Sequence, residues 1–442
     1  METEKILKKI KDERIKFISL QFSDLLGAIK EIIIPVEELE STLKYGLWFD
    51  GSSIEGFARI QESDLFLKPD LNTYSNIPWL TENGKTSRFI CDIYAPDGKP
   101  FEGDPRFILK KTQLEAKEMG FQYNVGPELE FYLFEKQNEN KTIPIDTGSY
   151  FDLSSYDGYK VIKEIITALK SFGINVETSH HEVGSGQYEI DFNYGPAILI
   201  ADRVLTLKYT VKKIAQMNNL VATFMPKPIM NAAGSGMHVH QSIFDASGRK
   251  NLFYKKNDKY NLSKISYSFL AGQMKHIKGM SAILCPTVNS YKRLVSGFEA
   301  PVYITWASMN RSALIRVPKC FEEKNESSRI ELRCPDPSCN PYLAFATMLK
   351  TGLEGIQNNL IPPKPVEENV YQFDNKNLNI NHINTLPNSL YEALEELKKD
   401  KIIQECLGGH LFEKYINIKT KEWNEFKTQV TPWEINKYLD TY

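Results

Sequence analysis

The most constraining feature of this sequence is a strand-like segment, residues 126–134, with the order GPELEFYLF. Side chains two positions apart in a strand point to the same face, so Glu128 and Glu130 are expected to stand side by side. Two carboxylates held so close repel each other, and a cation such as Mg²⁺ or Mn²⁺, which prefers oxygen ligands, would stabilise the pair. The alternative interpretation is a strand with one face in water, because polar and apolar residues alternate in half-exposed antiparallel sheets.

Three later segments repeat this alternation. The polar side chains that share a face are Gln187, Glu189 and Asp191 in residues 186–192, His238, His240 and Ser242 in residues 236–242, and Arg329, Glu331 and Arg333 in residues 329–333. Glu182 comes just before the first of these segments. Because the opposite faces are largely apolar, the four strands predict one concave sheet lined by polar groups. Several glutamates with one or two histidines suit Mg²⁺ or Mn²⁺ better than a structural zinc, which favours thiolate and imidazole.

The stretch from residue 293 to residue 333 is rich in arginine. Its members are Arg293, Arg311, Arg316, Arg329 and Arg333. Planar guanidinium groups bind carboxylates and phosphates through paired hydrogen bonds, so arginines beside a carboxylate cluster predict an anionic substrate and phosphoryl transfer. Surface ion pairing is the alternative for each arginine alone, but it explains poorly why these residues cluster. The common phosphate-loop, kinase and dinucleotide motifs are absent from the sequence, so a nucleotide would need a different cradle.

The composition of the 442-residue chain limits its class and its partners. This length favours at least two domains. The net charge of −2 gives no electrostatic footprint for nucleic acid or an anionic membrane, so neither is an expected partner. No apolar run approaches the ~20 residues of a membrane span. Since the first residues also lack the apolar core of a signal peptide, we expect a cytoplasmic protein whose six cysteines are reduced.

The order of the predicted elements indicates an α+β fold. We expect a small N-terminal unit in residues 1–103 and a larger unit in residues 104–442, which begins with a helix capped by Asp104 and stopped at Gly120. Strands of the larger unit are predicted near residues 123–134, 186–192, 236–243, 303–317 and 329–334, and helices near residues 157–171, 200–218, 262–283 and 341–358. Residues 319–328 and 362–389 are predicted to be surface loops, and the remainder to be helical.

Ordered motifs along the chain resemble a known family. They are DGSSI at 50–54, GPELE at 126–130, KP at 227–228, GSGMH at 234–238, NSYKRL at 289–294, NRS at 310–312, RIELR at 329–333, PDP at 335–337 and NPYL at 340–343. With these motifs the chain resembles the type I glutamine synthetases of bacteria and archaea over essentially its whole length. The resemblance implies a β-grasp-like N-terminal domain and a catalytic domain with a curved antiparallel sheet, a partial barrel, backed by helices. It also implies ATP-dependent ligation of ammonia to the γ-carboxylate of L-glutamate.

The resemblance assigns roles to the polar residues. It implies two or more Mg²⁺ or Mn²⁺ ions per active site, one held by Glu130, Glu182 and Glu189 and another held by Glu128, His238 and Glu331. The implied contacts to glutamate and the transferred phosphate are Arg293, Arg311, Arg333 and Gly234, and those to ATP are His240, Ser242, Arg311, Arg316 and Arg329. Asp50 resembles the residue that binds ammonium and takes its proton, with Ser53 in support, and Glu299 resembles a flap carboxylate that closes the site. Asp50, Glu299 and Arg311 are therefore the expected catalytic residues.

The resemblance further implies assembly and regulation. It predicts a dodecamer of two hexameric rings, in which the domain that carries Asp50 completes the site of a neighbouring subunit. Arg59 resembles the residue that mediates feedback inhibition by glutamine in the alpha subtype. Tyr371 is a doubtful adenylylation site, because residues 369–375 read NVYQFDN rather than NLYDLPP. The physiological metal, further effectors, a regulatory protein partner and the role of residues 319–328 stay open.

Three alternatives to this function differ in what they require. A γ-glutamyl ligase for a polyamine or another amine would share the metals and the ATP site, whereas Asp50 and Ser53 favour ammonium. A non-catalytic structural or sensor relative would not need the full set of metal ligands. A metal-dependent hydrolase would not need so many arginines.

Overall fold

The computed structural model describes residues 3–54, 56, 64–81, 84–136, 143–297, 300–319, 327–368 and 383–442. Its strands form two separate sheets, each with its own apolar core. Helices cover one face of each sheet, so the arrangement is α+β, as predicted from the sequence.

The smaller sheet is built by the N-terminal part of the chain. Its strands are β1 (Ile15–Ser23), β2 (Ile29–Pro35), β3 (Leu47–Asp50), β4 (Asp64–Pro69), β5 (Ser75–Asn76) and β6 (Lys85–Tyr94), and its helices are α1 (Thr3–Asp12) and α2 (Leu39–Tyr45). The strand order is β2-β1-β6-β4-β3, with β5 paired to β6. Ile6 and Ile10 lie four residues apart on α1, so both side chains enter the core formed with Ile18 and Phe89. Strand β3 forms the edge of this sheet, and Asp50 is its last residue.

The larger sheet has nine strands in the described part of the chain. They are β7 (Phe121–Glu135), β8 (Val176–His181), β9 (Gln187–Phe192), β10 (Gly195–Pro196), β11 (Leu220–Thr223), β12 (Met237–Asp245), β13 (Trp306–Ala307), β14 (Ile315–Arg316) and β15 (Ile330–Leu332). The order is β13-β14-β15-β12-β7-β9-β8, and β10 and β11 also pair with β7. All pairs are antiparallel except β13 with β14. Along β7 the apolar Leu129, Phe131 and Leu133 are fully buried, so the intervening side chains face the opposite side of the sheet.

Helices form the other regular elements of this unit, and some of them pack against the sheet. They are α3 (Pro105–Glu118), α4 (Tyr156–Ser171), α5 (Ala197–Met217), α6 (Lys264–Leu284), the short α7 (Ser290–Arg293), α8 (Pro341–Gln357), α9 (Leu390–Lys399), α10 (Lys401–Leu407), α11 (Gly409–Phe426) and α12 (Pro432–Tyr438). The predicted start of α3 is confirmed, since the carboxylate of Asp104 accepts from the backbone N–H of Arg106 at 2.9 Å. Among the described residues, no helix combines the length and the apolar composition needed to cross a membrane.

Helices α6 and α8 approach each other through glycines. A Cβ at Gly272 of α6 would lie 2.2 Å from the carbonyl oxygen of Thr351 on α8, and one at Gly355 would lie 2.1 Å from that of Ser268. Both contacts are with backbone atoms, which cannot rotate away. The two helices therefore need glycine at these positions in order to pack at this distance.

Gly272→Ala is expected to destabilise the fold by about 1–3 kcal/mol, because the added methyl group must push the two helices apart. Urea unfolding measures this effect. Gly409→Ala is the matched control, since a Cβ there meets nothing within 4 Å and alanine favours the helix more than glycine. Equal stability of the two variants would contradict the close packing of α6 and α8.

A buried ion network joins the two sheets. The Arg106 guanidinium, which is 4% exposed, donates to both carboxylate oxygens of Asp202 at 3.1 and 3.0 Å. It also donates to Asp70 at 2.8 Å and to Asp92, two residues of the smaller sheet region. The hydroxyl of Tyr342 on α8 donates to Asp202 at 2.5 Å. One guanidinium therefore binds carboxylates from both units of the chain.

Most predicted elements of the larger unit are confirmed within a few residues of their bounds. The strand predicted near residues 303–317 is wrong in its middle, because only Trp306–Ala307 and Ile315–Arg316 are extended. Between them the side chain of Asn310 accepts from the backbone N–H of Ser312 at 2.8 Å, which closes a turn. The sequence prediction missed β8, whose polar residues do not alternate with apolar ones. Residues 320–326 and 369–382, inside the two predicted loops, lie outside the described residues.

Candidate active site

Neighbouring strands bring the predicted polar residues to one face of the larger sheet. Strand β7 lies between β9 and β12. In this register Glu128 stands opposite Asp191 on β9 and His238 on β12, and Glu130 stands opposite Glu189. Cβ atoms of directly opposed residues in an antiparallel pair lie about 4.5–5.5 Å apart. The alternation seen in the sequence therefore produces a continuous acidic surface across the sheet.

A cavity of about 410 Å³ opens over this acidic surface. Among the residues that the structure describes, six carboxylates and four arginines line its walls. The predicted site residues among them are Glu128, Glu130, Glu182, Glu189, Gly234, His238, Arg293, Arg311, Arg316, Glu331 and Arg333. Such a combination of charges suits anionic groups held together with cations.

A second cavity, of about 460 Å³, shares Glu128 and Asp191 with the first. The predicted nucleotide contacts His240, Ser242 and Arg329 line it. Arg316, predicted as a further nucleotide contact, lines the first cavity instead. The two cavities meet at Glu128 and Asp191, so both carboxylates are placed to influence ligands in both cavities.

The buried carboxyl groups differ strongly in their electrostatics. Burial and the neighbouring Glu189 and Glu182 raise the pKa of Glu130 well above its ordinary value, although Arg293 partly opposes the shift. Burial also raises the pKa of Glu189, with Asp191 and Glu128 adding to the effect. In the ion-free protein these two carboxyl groups therefore retain their protons above the ordinary carboxyl range, because burial and the neighbouring carboxylates disfavour the charged forms.

Glu128 and Glu331 behave in the opposite way. Burial disfavours the charged form of Glu128, but hydrogen bonds with His238 and His240 hold its pKa well below the ordinary value. His240 Nε2 lies 2.7 Å from one Glu128 oxygen, and His238 Nδ1 lies 3.3 Å from the other. Glu331 is 1% exposed, and His240, Arg333, His238 and Arg316 outweigh its burial and lower its pKa. These two carboxylates are therefore charged at neutral pH.

The donor atoms suit a divalent cation. Glu128, Glu189 and His238 each offer a ligand atom within 4.8 Å of the other two, and so do His180, Glu182 and Glu189. Two buried polar atoms of the cavity, Asp191 Oδ1 and Arg333 Nε, have no hydrogen-bond partner within the described part of the chain. Carboxylate oxygens with one imidazole suit Mg²⁺ or Mn²⁺. These observations fit a site that a bound ion and an anion complete.

These two groups overlap with the predicted ligand sets without matching them. They retain the pairs Glu182 with Glu189 and Glu128 with His238. Glu130 is absent from both groups and accepts from the backbone N–H of Gly236 at 2.9 Å. Glu331 is also absent from them and pairs with the Arg316 guanidinium. The predicted division into two ion sites therefore stays a prediction.

The arginines of the cavity differ in how they are held. Arg293 is 3% exposed and donates to the carbonyl oxygens of Cys334 at 2.7 Å and Arg333 at 3.1 Å. Gly234 leaves room for Arg293 at this position, because a Cβ there would lie 2.7 Å from Arg293 Cγ. Arg311 is exposed and its side chain contacts Tyr150. Arg293 therefore supplies a rigid positive charge, and Arg311 is accessible to a substrate.

Some predicted residues lie elsewhere or outside the described ranges. Asp50 and Ser53 do not line either cavity of this chain, and the exposed Asp50 carboxylate accepts from the N–H of Ser52 at 2.8 Å. Arg59 and Glu299 lie outside the described residues. The sequence analysis missed Tyr150, which lines the first cavity. No periodic pattern surrounds Tyr150, so no local signal in the sequence predicts its place in the site.

An acidic sheet surface with arginines, divided between two adjoining cavities, is typical of metal-dependent enzymes that bring two anionic substrates together. A family model described as glutamine synthetase, catalytic domain, matches residues 102–438, and one described as glutamine synthetase, beta-Grasp domain, matches residues 14–96. The chain therefore belongs to the glutamine synthetase family, and it is an enzyme of that family.

Individual relatives agree with this assignment. The glutamine synthetase of Clostridium saccharobutylicum is 48% identical over 442 residues, which cover 99% of each chain. That of Thermotoga maritima is 47% identical over 442 residues, covering 99% of this chain and 100% of the relative. The cryo-EM structure of Plasmodium falciparum glutamine synthetase has a TM-score of 0.90 at 27% identity and covers 99% of both chains. The resemblance seen in the sequence and the predicted β-grasp and partial-barrel architecture are confirmed.

The raised pKa values of Glu130 and Glu189 predict how cation binding depends on pH. In the ion-free protein these carboxyls hold protons above the ordinary carboxyl range, and a bound cation must displace them. Binding should therefore release protons, and the affinity for Mn²⁺ should increase as the pH rises. Deprotonation without an ion costs stability, so Mn²⁺ should also raise the melting temperature more at higher pH.

Calorimetric titration of Mn²⁺ in two buffers with different ionisation enthalpies measures the released protons. Asp97→Asn is a control, because this exposed carboxylate lies outside both cavities. Binding that releases no protons and is independent of pH would contradict the raised pKa values.

Proposed function

We propose that this enzyme makes L-glutamine from L-glutamate, ammonium and ATP. An oxygen of the glutamate γ-carboxylate attacks the γ-phosphorus of ATP, which forms γ-glutamyl phosphate and releases ADP. Ammonia then attacks the acyl carbon, and inorganic phosphate leaves. The observation that carries this proposal is that two cavities adjoin at Glu128. One is rich in carboxylates and arginines, and the other has room for a nucleotide.

The acidic residues would hold divalent cations. Glu130, Glu182 and Glu189 would hold one Mg²⁺ or Mn²⁺ ion, and Glu128, His238 and Glu331 would hold a second. When bound, such ions neutralise the charge of two anions that otherwise repel each other. The raised pKa values of Glu130 and Glu189 support this role, because burial and the neighbouring carboxylates disfavour their charged forms and a bound cation would stabilise those forms.

The arginines would bind and orient the anionic substrates. Arg293, Arg311 and Arg333, with the backbone at Gly234, would contact glutamate and the transferred phosphoryl group. Arg316, Arg329, His240 and Ser242 would contact ATP, with Arg311 reaching the transferred phosphate. The fixed position of Arg293 supports preorganisation, since backbone carbonyl oxygens hold part of its guanidinium in place.

The second step needs a base and protection from water. Asp50 of a neighbouring copy would bind ammonium and take its proton, with Ser53 in support, because protonated nitrogen has no lone pair to attack with. Glu299 would close the site and exclude water that hydrolyses the acyl phosphate. The position of Asp50 at an exposed edge strand supports a contribution to another subunit.

This proposal includes the assembly and regulation that the resemblance implies. We expect a cytoplasmic dodecamer of two hexameric rings, built from domains 1–103 and 104–442 and inhibited by glutamine through Arg59.

Phosphate release from ATP tests the proposed reaction. With glutamate and Mg²⁺ or Mn²⁺, we expect release that depends on ammonium and is matched by glutamine formation. Putrescine and ethanolamine replace ammonium in parallel reactions. Release without ammonium, or a strong preference for either amine, would overturn the proposed reaction.

A further inference from the structure

Glu182 differs from the other residues proposed to hold the cations. The other five lie within strands, where the ladder hydrogen bonds fix the backbone. Glu182 lies in the turn of residues 182–186 that joins β8 to β9. Its backbone N–H donates to the carbonyl oxygen of Gln187 at 2.8 Å, and its carboxylate accepts from the backbone N–H of Val183 at 3.0 Å. The carbonyl side of Glu182 and the rest of the turn lie outside the ladder, so further contacts have to fix them.

Asp146 binds both ends of this turn. One of its carboxylate oxygens lies 2.8 Å from His181 Nε2 and accepts from the backbone N–H of Gly186 at 2.9 Å. The other oxygen accepts from the hydroxyl of Tyr188. The other nitrogen of the His181 imidazole, Nδ1, lies 2.6 Å from the carbonyl oxygen of Glu182. The turn is therefore held directly at Gly186 and through His181 at Glu182.

Asp146 is itself held against the strand that carries Glu128 and Glu130. The backbone N–H of Ile145 donates to the carbonyl oxygen of Leu133 on β7 at 3.2 Å. The backbone N–H of Leu133 in turn donates to the carbonyl oxygen of Gly186 at 2.9 Å. The side chain of His181 is fully buried and that of Asp146 is 8% exposed. Asp146 therefore fixes the turn relative to β7.

We propose that Asp146 and His181 are positioning residues that orient Glu182 toward the cation site. Both ring nitrogens of His181 face acceptor oxygens, so the ring has one orientation in which both contacts are made. Partners of this kind commonly tune a metal site through residues that bind the ion. The inference deepens the proposed function and rests on it for the role of Glu182.

Binding of Mn²⁺ alone to the full-length protein tests this inference without a turnover assay. Asp146→Ala removes the carboxylate that both ends of the turn share. His181→Gln keeps an amide near the Nε2 position and loses the contact with Glu182, whereas His181→Asn keeps an amide near the Nδ1 position. We expect Asp146→Ala and His181→Gln to weaken Mn²⁺ binding about 10-fold or more, and His181→Asn to have a smaller effect.

Asp258→Ala is the matched control for loss of a hydrogen-bonding carboxylate. Asp258 accepts from the backbone N–H groups of Tyr260 and Leu262 and from the hydroxyl of Tyr267, but it lines neither cavity. It is expected to lower the melting temperature while leaving the Kd for Mn²⁺ unchanged. Because the two positioning residues act in series, the double variant Asp146→Ala/His181→Gln should bind Mn²⁺ about as well as Asp146→Ala alone.

Two results would overturn this inference but not the proposed function. One is an unchanged Kd in both Asp146→Ala and His181→Gln, and the other is an equal loss of affinity in Asp258→Ala. Failure of the proposed function has a different signature, since the unmodified chain would then bind Mn²⁺ but release phosphate without ammonium. Absence of Mn²⁺ binding by the unmodified chain would overturn both.

Discussion

Glu130→Gln is expected to reduce glutamine formation by on the order of 10²–10³-fold. The amide has the shape of the carboxylate and can still accept from the backbone N–H of Gly236, but it has no charge with which to bind a cation. The same change removes repulsion among Glu130, Glu189 and Glu182, so the ion-free protein should become more stable. We therefore expect activity to decrease while the melting temperature in chelator rises.

Glu128→Gln is the companion variant. Glu130 lines only the first cavity, whereas Glu128 lines both. Glu130→Gln should therefore raise KM for glutamate more than KM for ATP, and Glu128→Gln should show the reverse. Steady-state kinetics with each substrate varied in turn measures the difference. Identical changes in both variants would count against a division of the two carboxylates between glutamate and nucleotide.

Arg106→Met is expected to destabilise the protein by about 3–5 kcal/mol, because it leaves the carboxylates of Asp202, Asp70 and Asp92 without their shared cation. Methionine preserves much of the apolar stem of arginine, so the loss of stability results mainly from the loss of charge. The first unfolding transition in urea measures the effect. Since Arg106 contacts carboxylates from both units of the chain, that transition should include separation of the units.

Lys99→Met is the control for the loss of Arg106. Lys99 pairs with Asp97 at the surface, where the two side chains are 82% and 53% exposed. Loss of this exposed ion pair should leave the free energy of unfolding nearly unchanged. Equal free energies of unfolding for the two variants would contradict the expected contribution of the buried network to stability.

Local sequence pattern was sufficient where a strand ladder controls the site. The period of two along β7, β9, β12 and β15 correctly grouped Glu128 with Glu130 and Glu189 with Asp191. In a strand the direction of a side chain depends on its position in the chain, so the pattern predicts the face without knowledge of the fold. The same reasoning failed near residue 310, where the side chain of Asn310 closes a turn that no alternation reveals.

The sequence by itself determined the strand faces, the acidic and arginine-rich character of the site and the family motifs. Only the tertiary structure decided that Arg316 lines the first cavity, that Asp146 holds the turn of Glu182, and that Arg106 joins the two units. The physical reason is distance along the chain. Arg106 and Asp202 are 96 residues apart, and His181 and Asp146 are 35 residues apart. Such contacts depend on how the helices and strands pack, and no local periodicity encodes which distant residue will supply the partner.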